Sequence, residues 1–269
     1  MTHTAIFSAR RARWRVLAVL VPLTLSACQQ ERQTEPLSGD FHALRVVGNT
    51  LLYGEHAGVR RSLDGGRTWS APDGAGDAMA IVPVRNTVIL AGHEVLQTSQ
   101  DQGQTWTPLG FGSLPGGDLH GFAADPVRPE VWYANVMGRG VFRTTDGGQW
   151  TFLSAEPRGA WVLAAGPQPA VYALDGQGLL VSPDGQTWTR RPAEGAQHMD
   201  VHPVTGAVYL AGPQGVARST DQGRTWKDLS FPGAARLVAV DPTQDEQVYA
   251  VSVSGVVHRS EDGGTTWND

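Results

Sequence analysis

The sequence predicts an all-β fold, a six-bladed β-propeller of four-stranded antiparallel blades with a tight turn between strands three and four of each blade. Three observations predict it. A box of the form S-x-D-x-G-x-T-W is written six times. Its tryptophans fall at positions 69, 106, 150, 188, 226 and 267, so neighbouring copies lie 37 to 44 residues apart. A period near 40 marks a repeat architecture whose units share one continuous core. Between the boxes, short apolar runs alternate with Gly and Pro turns, as short antiparallel strands require.

The boxes occupy residues 62–69, 99–106, 144–150, 182–188, 219–226 and 260–267. The third copy lacks the Thr before its Trp, and the fourth is one residue short at the glycines. Each residue type has a physical job. The Ser or Thr and the Asp (Asp64, Asp101, Asp146, Asp184, Asp221, Asp262) accept hydrogen bonds from backbone N–H groups a few residues on and close a turn. The glycines supply positive φ. The Trp opens the fourth strand and buries a large ring beneath the turn. On these motifs, residues 41–269 resemble the BNR/Asp-box repeat family found in sialidases, sortilin-type receptors and the photosystem II stability/assembly factor. The resemblance implies that the box aspartates are structural, on the outer rim, and that ligands bind on the opposite face.

Taken in order, the chain begins with Arg10, Arg11, Arg13 and Arg15, then an apolar run over 16–25, then Leu25-Ser26-Ala27-Cys28. This reads as a lipoprotein signal peptide over 1–27, too short for a permanent span, with Cys28 resembling the lipidated cysteine of a bacterial lipobox. Cys28 is the one cysteine, so no internal disulfide forms. Residues 28–40 read as the lipidated Cys and a flexible polar tether, and Gln29 resembles an outer-membrane sorting residue. The expectation is an exported cell-envelope lipoprotein, on the outer membrane or the outer face of the plasma membrane. Past the leader, 17 basic residues face 26 acidic ones, which argues against nucleic acid as a partner.

From Phe41 each repeat gives an apolar strand, a Gly or Pro turn, a second strand and a third strand entering the box. Tyr53, Tyr133, Tyr172, Tyr209 and Tyr249 hold the same second-strand position. Six blades fall near 41–76, 77–117, 118–158, 159–195, 196–233 and 234–269. Only two residues follow Trp267, so the sixth blade has two open closures: a strand from residues 35–40, or a frayed edge.

Residues that repeat in every blade build the blade, so candidates are sought among those that do not. At the start of the first strands stand His42, Asp77, His120, Trp161, Gln197 with His198, and Arg236. His56, His93, Glu94, Arg139 and Arg158 lie in nearby loops, and Asp118 can approach the same mouth. Below this ring the inner positions turn apolar at Leu44, Met79, Phe122, Leu163, Met199 and Val238. No close-spaced H-E-x-x-H pair is present, and neither a metal site nor a cofactor is assigned.

Bacterial lipoproteins resembling this chain from Asp40-Phe41-His42-Ala43-Leu44 onward are called glycosyl hydrolases. Sialidase chemistry in the family uses an arginine clamp, a tyrosine activated by a glutamate, an acid and an Arg-Ile-Pro motif. Here Arg-Ile-Pro is missing, the tyrosines are repeat residues, and only Arg45, Arg139, Arg158 and Arg236 are placed for a clamp. The favoured reading is a monomeric, membrane-tethered propeller whose loop face binds a glycan, peptide or partner protein. A sialidase-like glycoside hydrolase and a purely structural envelope protein are the alternatives.

Overall fold

A computed structural model of the chain describes residues 1–2, 36–167 and 170–268. Cys28 and the leader lie outside the described residues. Within them the protein is all-β and forms six small antiparallel sheets arranged as a six-bladed propeller. Blade one holds β1 (Ala43–Val47), β2 (Thr50–Glu55) and β3 (Gly58–Ser62). Blade two holds β4 (Ala80–Val84), β5 (Thr87–Gly92), β6 (Val95–Ser99) and β7 (Thr107–Pro108). Blade three holds β8 (Leu119–Ala124), β9 (Trp132–Val136), β10 (Gly140–Thr144) and β11 (Trp150–Ser154). Blade four holds β12 (Val162–Ala165), β13 (Val171–Asp175), β14 (Gly178–Ser182) and β15 (Thr189–Arg191). Blade five holds β16 (His198–Val201), β17 (Val208–Gly212), β18 (Gly215–Ser219) and β19 (Lys227–Asp228). Blade six holds β20 (Ala235–Val240), β21 (Val248–Ser252) and β22 (Val257–Ser260).

The second strands are buried on both faces, which is why they read as continuous apolar runs rather than alternating ones. The faces are covered by the neighbouring blades. Each of the six apolar clusters draws its side chains from two adjacent blades, so the core is six seams. Leu44, Val46 and Tyr53 meet Leu237, Tyr249 and Val257 at the seam that closes blade six onto blade one. Box tryptophans cross the seams too. The Trp106 indole N–H donates to Asp73 at 2.7 Å, Trp226 to the Pro192 carbonyl at 2.5 Å and Trp267 to the Leu229 carbonyl at 2.8 Å, each in the preceding blade.

The box forms as its residue types require. Ser62 Oγ accepts the Gly66 N–H at 2.8 Å and donates to Asp64 Oδ1 at 2.8 Å, while Asp64 also takes the Thr68 N–H and hydroxyl at 2.9 and 2.7 Å. The other boxes repeat this pattern, short of the Thr hydroxyl bond in the third and fourth. Gly66 has φ +94°, and a Cβ there would stand 2.7 Å from Val257 across the seam. The Thr105 and Thr225 hydroxyls and N–H groups hold the carboxyls of Asp101 and Asp221 well below the ordinary range, and Thr266 brings Asp262 down to about 2. These carboxylates are committed to their turns.

Two expectations need correction. Among the described residues, blades one and six have three strands, not four. After Trp69 the chain still follows β3, but Pro72 has no N–H to give and the Asp73 carboxylate takes the Val59 N–H at 2.9 Å, so no regular ladder forms. In blade six the outer strand is reduced to an Arg259–Asn268 bridge, the frayed edge of the two alternatives. Residues 36–40 do not complete it. Nor are they the free end of a tether: the Leu37 N–H donates to the Gly255 carbonyl at 2.8 Å, its side chain is buried in the closing seam, and the Asp40 carbonyl accepts the Tyr53 hydroxyl at 2.9 Å. Gly255 has φ +83°, and a Cβ there would lie 1.9 Å from the Leu37 carbonyl oxygen.

Leu37 is therefore expected to act as a clasp. Leu37→Ala should lower the unfolding free energy by about 2–4 kcal/mol, a large share of the roughly 5–15 kcal/mol of a typical domain. Chemical denaturation read by tryptophan fluorescence checks this, and a change under about 0.5 kcal/mol would show the clasp to be idle.

Candidate functional site

An ion pair crosses the axis of the propeller. Arg45, on β1, pairs with Asp200 on β16 and donates Nε–H to the Ile81 carbonyl of β4 at 3.0 Å. Asp200 Oδ2 accepts the Val240 N–H of β20 at 2.9 Å. One guanidinium thus ties blades one, two and five at the centre. Above it His198 is buried and its Nδ1 accepts the Val238 N–H at 3.4 Å. Burial, aided by the positive charge of Arg45, pushes its pKa down to about 3, so it is neutral. His198 was expected on the loop face; it is instead part of the floor, because the first residue of β16 already points inward.

On this floor rests an open basin of about 470 Å³, lined by Phe41, His42, Met79, Trp161, Gln197 and Arg236 among others. A separate hollow of about 120 Å³ lies on the other side of the Arg45–Asp200 pair. A small void of about 20 Å³, lined by His42, Met79, Trp161, His198 and Arg45 among others, lies between the two. The Trp161 indole N–H donates to the Gln197 carbonyl at 2.9 Å, and the Arg236 guanidinium sits 5.7 Å from the centre of the Phe41 ring. Arg236 lies at a register shift between Ala235 and Leu237, and His120 at one between Leu119 and Gly121. A β-bulge inserts an unpaired residue and re-aims its side chain; here it occurs at two of the expected ring residues.

Beside the basin the loops of blades one, two and three bring four histidines and three aspartates into one chain of contacts. Asp40 Oδ2 is 3.0 Å from His56 Nδ1, and the His56 and His42 rings lie 4.4 Å apart. His42 Nδ1 is 3.0 Å from Asp77 Oδ1. Asp77 Oδ2 is 2.6 Å from His93 Nδ1. His93 Nε2 is 2.7 Å from His120 Nε2, and Asp118 Oδ1 lies 3.2 and 3.1 Å from those two nitrogens. Backbone geometry sets this up. β5 and β6 are joined through His93 and Glu94 alone, with Glu94 at φ +54°. That turn pairs with the next blade through a His93–Asp118 bridge and a 2.8 Å bond from the Glu94 N–H to the Gly117 carbonyl. Gly92 lets the hairpin approach, since a Cβ there would stand 1.7 Å from the Asp77 carbonyl oxygen. Desolvation outweighs the neighbouring carboxylates and lowers the pKa of both His42 and His120.

Of the expected residues, His42, Asp77 and His120 join this array; His42, Trp161 and Arg236 line the basin. Glu94 and Arg139 are exposed in their turns. The four candidate clamp arginines do not converge: Arg45 is held by Asp200, Arg158 lies 3.4 Å from Glu156, Arg236 stands over Phe41, and Arg139 sits in the β9–β10 turn. The histidine groups form between adjacent blades rather than around the mouth, which spacing along the chain does not show. Asp40 and Asp200 were missed. Asp200 carried one usable signal, a carboxylate within an otherwise inward-facing strand.

Comparison with known proteins follows the same lines. The BNR/Asp-box repeat family matches residues 97–108. Photosystem II assembly protein Ycf48 of Synechococcus sp. (strain JA-3-3Ab) is 29% identical over 141 residues, 48% of this chain and 42% of that protein. A xyloglucanase of Hypocrea jecorina (strain QM6a) is 29% identical over 148 residues, 50% of this chain and 18% of that protein. The chain thus aligns with less than half the length of either relative. The solved structure of YCF48 bound to D1 peptide matches with a TM-score of 0.55 at 20% identity, over 87% of this chain and 83% of that one, a likeness of fold.

The buried His198 yields a pH prediction. Its folded pKa, near 3, lies below the ordinary 6.5, so its stabilising contribution is complete above pH 6.5 and is lost as pH falls toward 3. His42 and His120 act in the same direction. Unfolding free energy should therefore drop between pH 6.5 and 4.5. His198→Gln, which keeps an acceptor for the Val238 N–H, should flatten that slope by about one proton, or ~1.4 kcal/mol per pH unit. An unchanged slope would show that His198 is not held neutral.

Proposed function

We propose, starting from a β-propeller of BNR/Asp-box type, that this chain is an extracytoplasmic, membrane-anchored binding protein whose loop-face basin receives a peptide or an extended segment of a partner protein. The observation that carries the reading is the basin itself. Its lining combines an indole, a phenyl ring, a thioether and a guanidinium. Aromatic and arginine side chains around a concave, partly apolar surface are the composition of protein-recognition sites. The relative named as a photosystem II assembly protein, and the YCF48 structure bound to a D1 peptide, support the same use of this fold. The amino-terminal pattern ending at Cys28 supports export and lipid anchoring.

The xyloglucanase relative motivates the competing reading of glycoside hydrolysis. That chemistry needs two carboxylates facing each other across room for a sugar and, in inverting enzymes, a water. Between Asp77 and Asp118 that room is taken by the His93 ring, which contacts both. The carboxylates nearest the basin are engaged with imidazoles rather than with an open cleft.

The test is a binding titration of the full chain against extended peptides tiled over the envelope proteins of its host cell, alongside xyloglucan oligosaccharides. Saturable peptide binding is expected, weakened at least about tenfold by Trp161→Ala or Arg236→Ala, each change being worth roughly 1.4 kcal/mol or more, with the melting temperature unchanged. Release of new reducing ends from xyloglucan by the wild type, lost in Asp77→Asn, would replace this reading with hydrolysis. Binding that both basin variants retain in full would move the site elsewhere.

A further inference from the structure

We propose that His93, Asp118 and His120 form a binding site for one divalent first-row transition-metal ion of the Zn²⁺ type, at the seam between blades two and three, with Asp77 as the carboxylate that positions His93. The inference does not depend on the peptide-binding reading.

The first support is the placement of the donor atoms. His93 Nε2, His120 Nε2 and Asp118 Oδ1 form a triangle with sides of 2.7, 3.1 and 3.2 Å. A point equidistant from all three lies about 1.7 Å from each within their plane. An ion at the ~2.0–2.1 Å of a zinc–nitrogen bond therefore fits about 1 Å above that plane, capping one triangular face. Asp118 Oδ1 is buried and lies within 3.2 Å of both imidazole nitrogens. Without an ion, one imidazole proton bridges His93 and His120; an ion in its place would meet two Nε2 nitrogens and a carboxylate oxygen.

The second support is independent of the first. His93 Nδ1 contacts Asp77 Oδ2 at 2.6 Å, and Asp77 is mostly buried. At that distance Asp77 Oδ2 can accept an Nδ1–H from His93, which would leave the lone pair on Nε2, toward His120 and Asp118. A carboxylate behind a ligating histidine fixes its tautomer and ring orientation, and metal sites depend on it nearly as much as on the ligands. The backbone holds the other partners, with Asp118 bridged to His93 and His120 turned by the bulge.

The donor set selects the class of ion. Two imidazoles and one carboxylate suit Zn²⁺ and its first-row neighbours, whereas Ca²⁺ and Mg²⁺ favour all-oxygen shells. His93 and Asp118 are 43% and 49% exposed at the side chain, so the remaining coordination positions face solvent and are open to an oxygen or nitrogen of a ligand. The adjacent group of His42, His56 and Asp77 is the weaker candidate. Asp77 Oδ2 already serves His93, His56 Nε2 is 3.9 Å away, and His56 Nδ1 faces Asp40.

The test uses the full chain without a polyhistidine tag, carrying Cys28→Ser to remove the one thiol. Zn²⁺ alone is titrated by calorimetry, and Co²⁺ alone by its visible absorption. One ion per chain is expected. Asp118→Asn and His120→Ala should each weaken binding at least about tenfold and abolish the Co²⁺ bands. Asp77→Asn should weaken binding by about 10- to 100-fold, as loss of an outer-shell partner does. Absence of saturable one-to-one binding in the wild type would overturn the proposal, as would full affinity in both Asp118→Asn and His120→Ala. Asp118 is a half-exposed surface residue, so its variant keeps the test decisive even if a histidine variant misfolds. A metal-free result would leave peptide binding at Trp161 and Arg236 standing, and the converse holds equally.

Discussion

Each blade of this propeller has two apolar faces and can bury them only against its neighbours, so the seams between blades are what the rest of the structure depends on. All six apolar clusters lie at seams. Three box tryptophans bond across them, and the turn glycine Gly66 is tight because the next seam's Val257 stands against it. The central Arg45–Asp200 pair also joins blades, but its role differs. Buried ion pairs contribute little net stability once desolvation is counted, whereas each fully buried aliphatic side chain contributes about 1.5–3 kcal/mol. The apolar seams hold the ring; the ion pair joins blades one, two and five across its axis.

The same constraint explains where the chemistry sits. The turn between strands two and three of one blade abuts the start of the first strand of the next, so side chains from the two meet across a seam. His56 approaches Asp77 in this way, joined there by His42 from the start of β1, and His93 reaches Asp118 and His120. Both groups are therefore built by pairs of blades, and both rest on backbone that packing leaves little room to move. Gly92, pressed against the Asp77 carbonyl within blade two, is the clearest case: the same close approach brings His93 to Asp77. The basin beside them is shaped by different elements. Its rim takes Phe41 from the segment that clasps blade six to blade one, and Arg236 from a bulge in β20.

Much of the fold was legible because the box is a local device. A Ser, an Asp and a Gly at fixed offsets close the turn wherever they occur, so counting the boxes counts the blades. The recurrent tyrosines were legible as structural for the same reason, and all five lie in second strands. Less was legible where non-local geometry decides. Nothing in residues 36–40 announces that Leu37 will bury itself beside Val257, because that depends on ring closure. The loop-face residues could be named from the repeat, but their grouping could not. Alignment by strand placed His42, His120 and His198 in alternate blades, while in the structure His42 sits beside His56 of its own blade and His120 meets His93 across a seam. His198 was misplaced by a single step along its strand, enough to turn a rim residue into a buried one.

The central claim is that the seam between blades two and three holds an organised imidazole–carboxylate site, in which Asp77 fixes His93 with its proton on Nδ1 and its Nε2 lone pair presented outward. The most direct measurement is long-range ¹H–¹⁵N correlation spectroscopy of the imidazole rings near neutral pH, with His93 assigned by its loss in His93→Gln. The account predicts a single, slowly exchanging Nδ1–H tautomer for His93 that becomes a mixture in Asp77→Asn. A His93 ring that is already a tautomeric mixture in the wild type, or protonated on Nε2, would contradict it.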